Sequence, residues 1–300
     1  MSYPTLRLHP RKEESVLRFH PWIFSGAIAS FSAPVEDGDL VSVVDSKGRP
    51  LGTGHFGGGS IAVRLLSFDA EEVIDRAFYK RRLEAALRLR LSCDLVRPFG
   101  SSDSPNTTYR LVHGEGDSLP GLIIYIYYRT AVVQAHSLGM HQARQTIAEV
   151  LWEVFAEAGD PVLPLEGIYY KSETTLPTRD MRELASDGFL IGHTEAAPIY
   201  ENGVRFTPDW LKGQKTGFFI DQRDNRALVA HYAKGRTVLN AFCYTGGFSI
   251  YALHAGAKRV DSLDSSAKAM YLTEQHVALN FGTDCPLHHS VTEDAFDYLE

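Results

Sequence analysis

The period of the apolar positions changes along the chain, and each change marks a different kind of element. The first stretch reads as short strands. "LVSVVDSKGRPLGTGHF" and "SIAVRLLSF" are β-rich runs broken at Ser46-Lys47-Gly48 and at Gly57, Gly58 and Gly59, which is hairpin punctuation for a small sheet or barrel. Over 70–95 the apolar positions Val73, Ala77, Leu83 and Leu87 follow a helical period. "YRLVHGEGDSLPGLIIYIYYRTAVVQAHS" then predicts strand, turn, strand, strand, with Gly114, Gly116 and Pro120-Gly121 as the breaks. "HQARQTIAEVLWEVFAEAG" predicts an amphipathic helix stopped by Gly159, and "EGIYYKSE" another strand.

The last third opens with a hairpin, "APIYENGVRFTPD", whose Asn202-Gly203 suits a type I′ turn. A glycine-bearing loop follows, "WLKGQKTGFFIDQRDNR", with Asp221 placed as N-cap of a helix running to Gly235. "TVLNAFCYTGGFSIYALHAGAKRVDSLDSS" reads as strand, tight glycine turn, helix and a second strand ending in an acid. A helix over 267–281 and the short strand "PLHHSVT" complete the pattern. The organisation expected is a small β-rich part over 1–68, an α+β part over 69–190 and an α/β part over 191–300.

Composition narrows this only a little. The 300 residues are 44% hydrophobic and 22% charged, ordinary for a globular chain, and the net charge of −7 argues against an overall basic coat. Three well-separated cysteines, Cys93, Cys243 and Cys285, without C-x-x-C spacing point to a reducing compartment, and no apolar run suggests a membrane span. A cytoplasmic protein is expected, with a homodimer open as an assembly.

The glycine turn carries the chemistry. Nicotinamide and flavin sites use G-x-G-x-x-G so that backbone can approach a pyrophosphate. Here the run is Thr245-Gly246-Gly247-Phe248-Ser249, which fails that pattern. A ligand without pyrophosphate, such as S-adenosylmethionine, needs only close backbone approach to its amino-acid and ribose portions. Asp264, at the end of the second strand, is placed to accept from ribose hydroxyls, and Asp294, past the third, from an adenine amine. The competing account makes both acids helix caps.

With these residues in view, "LNAFCYTGGFS", the preceding "ENGVRFTPDWLKGQKTGFFIDQRDNR" and the following "VDSLDSS" resemble the cytosine-C5 methyltransferases of large-subunit ribosomal RNA. "HPWIFSGAI" is similar to the opening of that family's PUA domain, a small RNA-binding barrel, and "RLVHGEGDSLPGLI" to the start of its central domain. The family usually has an acid where this chain has Tyr125. The resemblance implies a PUA-like β-barrel, a central α+β domain and a Rossmann-like class I methyltransferase domain, incomplete in this chain. It also implies S-adenosylmethionine as cofactor, bound through Asn240, Phe242, Tyr244, Thr245, Gly246 and Gly247 at the methionine end and Asp264 at the ribose. The loop of Gln214 and Lys215, with Phe219 to Arg223, would close over the same crevice. In the family the next strand carries Asp-Pro-Pro-x-Phe and a later one the nucleophilic cysteine; neither is present, so the chain alone is expected to be inactive.

RNA is the expected partner. Arg76, Lys80, Arg81, Arg82, Arg88 and Arg90 form a basic stripe on one predicted helix, which either neutralises phosphates or is a solvated face. Trp22 and Phe24 either stack on bases or, the preferred reading, belong to a core. The histidines show no H-E-x-x-H, and His288 and His289 would face opposite sides of a strand, so no metal is expected. Cys243 abuts the donor turn and is disfavoured as the nucleophile that C5 chemistry needs. Two rival functions stay open: a non-catalytic RNA-binding protein with a vestigial methyltransferase fold, and an NAD-dependent dehydrogenase.

Overall fold

The computed structural model describes residues 3–100, 103–177, 186–211, 213 and 216–300. The chain packs as two compact units, Met1–Leu95 with Arg110–Thr194, and Val96–Tyr109 with Glu195–Glu300. The first two expected parts thus fall in one unit, and 96–109 crosses into the other.

The first unit begins with β1 (Thr5–Leu8), α1 (Glu14–Leu17), β2 (Trp22–Phe24), β3 (Ile28–Phe31), β4 (Leu40–Val44), β5 (Pro50–Phe56) and β6 (Ile61–Ser67). The strands form one sheet in the order β2-β6-β5-β4-β1-β3. Ile23 at one edge shares a single apolar core with Leu6, Leu8, Val41, Val43, Val63 and Leu65, so the sheet coils around that core. Trp22 and Phe24 are not core residues, contrary to the preferred reading. Phe24 is 53% exposed, and half-buried Trp22 donates from Nε1 to Glu115 Oε1 at 2.7 Å.

The predicted helix over 70–95 is shorter, α2 (Arg76–Ser92), with Asp75 as N-cap accepting from the Phe78 amide. The residues before it stay out of the helix because Asp69 folds them into a local turn, accepting from the Glu71 and Glu72 amides. The second sheet, in order β11-β10-β9-β8-β7, contains β7 (Thr108–His113), β8 (Leu122–Tyr127), β9 (Thr130–Ala135), β10 (Gly167–Tyr170) and β11 (Gly188–Gly192). Two helices, α3 (Leu138–Gln142) and α4 (Arg144–Glu157), connect the parallel strands β9 and β10. Tyr125 is buried with its ring under the Arg110 guanidinium at 5.1 Å, so an aromatic face meets that cation.

In the second unit, β12 (Ile199–Glu201) and β13 (Val204–Phe206) form the predicted hairpin, with Asn202 and Gly203 both at positive φ, as a type I′ turn requires. Then come α5 (Arg223–Ala233), β14 (Thr237–Ala241), α6 (Gly247–His254), β15 (Arg259–Asp264), α7 (Ala267–Phe281), β16 (His288–Thr292) and α8 (Ala295–Leu299). β14, β15 and β16 are parallel neighbours in that order, joined by α6 and α7. Asp221 is not the N-cap of α5: it sits inside a 3-10 turn, Ile220–Gln222, and Gln222 takes the cap position. His288 is buried and His289 exposed, on opposite sides of β16. Among the described residues no helix is long and apolar enough to cross a membrane.

One buried group in the first unit makes stability depend on pH. Burial, with the Arg64 charge added, pushes the His55 imidazole from its ordinary 6.5 down to about 4. The unfolded chain therefore binds this proton more readily, so stability is complete above about pH 6.5 and falls as pH drops toward 4. The loss expected from this group is on the order of 3 kcal/mol across that window. Urea midpoints measured against pH should fall less steeply for His55→Asn than for wild type; parallel curves would remove His55 as the cause.

Candidate functional site

The turn between β14 and α6 is held in an uncommon backbone shape. Phe242, Tyr244 and Gly246 all adopt positive φ, at 56°, 49° and 75°, and such a conformation in non-glycine residues costs energy that surrounding contacts must offset. Those contacts are specific. Asp264 Oδ2 accepts from the Tyr244 amide at 2.9 Å, and the Cys243 amide donates to the Leu263 carbonyl at 3.1 Å. From α7, Thr273 Oγ1 donates to the Tyr244 carbonyl at 3.1 Å and His276 Nδ1 meets the Thr245 carbonyl at 2.8 Å. His276 Nε2 lies 3.1 Å from the Thr207 amide and 3.2 Å from the Thr207 carbonyl; accepting from the amide fits a neutral ring with its proton on Nδ1. Burial, which pushes its pKa down, favours the same state.

The two glycines have separate packing reasons. At Gly246 a Cβ would lie 2.5 Å from the Thr273 methyl, and at Gly247 one would lie 3.2 Å from Arg226 Cδ. Helices α7 and α5 can therefore close on the turn only because side chains are absent there. Arg226 is 3% exposed and binds fully buried Glu201 twice, Nε to Oε1 at 2.8 Å and Nη2 to Oε2 at 2.7 Å. Its Nη2 also donates to the Phe219 carbonyl at 3.0 Å, and the guanidinium stacks on Phe218 with 4.6 Å to the ring centroid. Tyr251 donates its hydroxyl to Glu201 at 3.0 Å; burial and the Glu201 charge push that hydroxyl's pKa up, so it stays protonated.

Above this support lies a cavity of about 600 Å³, within the ~300–1,000 Å³ typical of small-molecule sites. Of the residues expected at the methyl donor, Phe242, Tyr244, Thr245, Gly247, Asp264 and Phe219 line it. Gly246 stands behind them as the N-cap of α6. Gln214 and Lys215 lie outside the described residues. Asn240 is turned away: its Nδ2 donates to Ser249 Oγ at 2.9 Å, which continues through Ser262 Oγ to His288 Nε2 in a buried polar chain. Arg223 pairs with Asp224 at 3.2 Å and does not line the cavity. Asp294 caps α8 by accepting from the Phe296 amide at 2.8 Å, the capping alternative, and it too is absent from the lining.

Cys243 borders the cavity but is buried, with Sγ 3.4 Å from Met270 Sδ; burial, then the Asp264 charge, pushes its thiol up to about 11. A thiol that stays protonated there is a poor nucleophile. Arg226, Thr273 and His276 support the turn without having been singled out by sequence; the sole hint was their position on helices flanking the glycine pair.

The basic stripe on α2 is not bare. Arg76 pairs with Glu153, Lys80 with Glu157, Arg81 and Arg82 with Glu72, Arg88 with Glu84, and Arg90 with Asp117. Arg90 is buried as well, which removes it from any RNA-facing surface. The expectation is corrected for Arg90 alone; the other cations of the stripe stay at the surface, paired with acids of their own unit, two of which, Glu153 and Glu157, come from α4.

A parallel sheet with a glycine turn after one strand and an acid after the next is the layout of nucleotide-binding α/β folds, class I methyltransferases among them. Family models agree, matching a PUA-like domain over residues 6–68 and an S-adenosylmethionine-dependent methyltransferase over 178–286. Curated relatives include the ribosomal RNA large subunit methyltransferase I of Shewanella amazonensis, 39% identical over 92% of this chain and 66% of its own length. That of Alteromonas mediterranea is 38% identical over 97% and 70%. The chain spans about two thirds of the length of these relatives. Among solved structures, a SAM-dependent methyltransferase from Streptococcus mutans has a TM-score of 0.78 at 24% identity, covering 99% of this chain and 72% of its own. A methyltransferase complexed with SAH reaches 0.79 at 23%, covering 99% and 71%. The chain belongs to the S-adenosylmethionine-dependent ribosomal RNA large-subunit methyltransferase family.

The Glu201–Arg226 pair can be tested as the support of the site. Glu201→Leu leaves a buried guanidinium without its carboxylate and should cost about 3–5 kcal/mol, whereas Glu201→Leu with Arg226→Met should recover most of that loss. Denaturant midpoints of the single and double variants decide; a double variant no more stable than the single would mean that charge pairing is not what the two side chains contribute.

Proposed function

We propose that the second unit binds S-adenosylmethionine across the β14 and β15 ends and that the protein methylates large-subunit ribosomal RNA, with cytosine C5 as the methyl acceptor. The observation that carries the donor site is Asp264. Its carboxylate stands at the cavity, meets no cation among the described residues, and gives each oxygen one backbone N–H, from Tyr244 and from Ser266 at 2.9 Å each. Spare lone pairs remain to accept ribose hydroxyls. The uncapped first amides of α6, next to Thr245, suit the carboxylate of the methionine end. Phe219 and Tyr244, whose rings meet edge-on at 5.5 Å, exclude water on one side.

Bound there, the donor supplies an electrophilic methyl group from its sulfonium. Asp264 would hold the ribose and the turn the amino-acid end of the donor. The choice of RNA is supported by the PUA-like match and the names of the relatives. Cytosine C5 is supported by the likeness of residues 201–226 and 239–249 to that family's motifs. A cytoplasmic site of action belongs to the same proposal and is supported by the ribosomal RNA named for the relatives.

Isothermal titration tests the donor reading. S-adenosylhomocysteine should bind and NAD should not. Asp264→Asn keeps an acceptor for the turn but loses the charge, and should weaken binding by roughly 1.5–3 kcal/mol. Binding of NAD alone would replace the methyltransferase reading with the dehydrogenase, and binding of neither would favour the vestigial fold. Nucleoside analysis after incubation with unmodified large-subunit RNA and labelled donor identifies the product; label in any nucleoside other than 5-methylcytidine would overturn the cytosine assignment.

A further inference from the structure

The arginines of α2 each meet a carboxylate; Arg64 on β6 does not. It is half-buried, forms no ion pair with a carboxylate among the described residues, and makes one long 3.5 Å contact from Nη1 to the Ile61 carbonyl. A guanidinium has five N–H donors, and those of Arg64 that are not used within the protein stay open to solvent and to a ligand. Glu115 lies near enough to act on its charge, but Oε1 of that carboxylate is taken by the Trp22 indole.

Arg64 opens on a cavity of about 290 Å³ in the first unit, remote in sequence from the glycine turn. Four properties of its walls point to one kind of ligand. Arg64 supplies the cation. Asp37 supplies a carboxylate that is not paired with it, and Gly58 allows the backbone to pass close to that group, since a Cβ there would lie 3.1 Å from Asp37 Oδ1. Phe56 supplies an aromatic wall whose orientation is set by an edge contact with Phe31 at 5.3 Å. His55, 5% exposed, presents a buried Nδ1 with no hydrogen-bond partner, a second polar group left unsatisfied at the same place.

An isolated phosphate would satisfy Arg64 but leave Asp37 and Phe56 without partners. A ligand with an anion at one end, a hydroxyl or amine donor near it and a flat ring meets Arg64, Asp37 and Phe56 together, and a nucleotide has that composition. We propose that this cavity holds one nucleotide of a single RNA strand, its phosphate on Arg64, its 2′-hydroxyl or base amine donating to Asp37, and its base against Phe56. The choice of RNA rests on the function proposed above, while the site itself uses none of the donor-site residues. Gly57, Gly58 and Gly59 form a rim without side chains, through which a strand can enter and leave.

Fluorescence anisotropy with a labelled short single-stranded oligoribonucleotide of mixed sequence tests this on the full chain. Arg64→Gln should weaken binding roughly tenfold or more, as for loss of a charge-assisted contact. Ser60→Glu, at the exposed rim where folding is not at stake, should weaken it several-fold by charge repulsion. Asp37→Asn should narrow the preference for RNA over DNA of the same sequence. Unchanged affinity in Arg64→Gln and Ser60→Glu, both with wild-type melting, would overturn the proposal, as would failure of the wild-type chain to bind. Competition by inorganic phosphate or adenosine monophosphate as effective as that by the oligonucleotide would reduce the cavity to a free-phosphate site. Titration of the wild-type chain with S-adenosylhomocysteine reports separately on the donor reading, so the failure of one is not mistaken for the failure of the other.

Discussion

The ion pair between Arg226 and Glu201 is the constraint on which the second unit depends. Neither group can reach water, so each must satisfy the other, and the geometry that does so is bidentate and rigid. That one contact fixes the hairpin strand β12 against α5. The same guanidinium then reaches the Phe219 carbonyl, packs on Phe218, and lies against the bare Cα of Gly247. A loop, a helix start and a hairpin are thereby referred to a single buried charge. Burying such a pair gains little stability by itself, but it penalises every arrangement in which the pair is broken, and so it selects one arrangement of the cavity walls.

The turn from Phe242 to Gly246 is built the other way round, from a strained backbone held by neutral groups. Two non-glycine residues at positive φ cost on the order of 1–3 kcal/mol each. The carbonyls of Tyr244 and Thr245 are claimed by Thr273 and His276 on α7, and the Tyr244 amide by Asp264. A neutral His276, with one nitrogen donating and the other accepting, ties the turn to Thr207 without adding charge beside the cavity.

What the sequence made legible was local. Asn202-Gly203 specified its own turn, and α7 begins and ends where Ser266 and Gly282 place it. Asp264 was legible as a residue of the cavity, because the end of the second strand lies beside the glycine turn. What was not legible depended on distant partners. The family resemblance implies Asn240 at the ligand, but parallel register sets Ser262 next to it and a buried hydrogen-bond chain claims its amide. The α2 cations look unpaired until α4 brings Glu153 and Glu157 across to Arg76 and Lys80 from 77 positions away. Asp221 looked like a cap because the 3-10 turn that displaces it has no composition of its own. Arg226 looked like any charge on a surface helix, since nothing local marks Glu201 as buried.

Charge accounting explains why the glycine turn suits a sulfonium donor better than a dinucleotide. Among the described residues the cavity lining has two basic side chains, and both are compensated, Arg226 by Glu201 and Lys268 by Asp209 at 3.3 Å. Asp264 has only backbone donors, so the uncompensated formal charge among those residues is negative. A pyrophosphate would bring two further negative charges to that position, where the described residues offer it no uncompensated cation. A ligand with a positive centre beside an adenosine meets the opposite balance: its ribose hydroxyls donate to Asp264 and its charge is attracted by the same group. The preference therefore follows from where the arginine and lysine have been neutralised as much as from the missing third glycine.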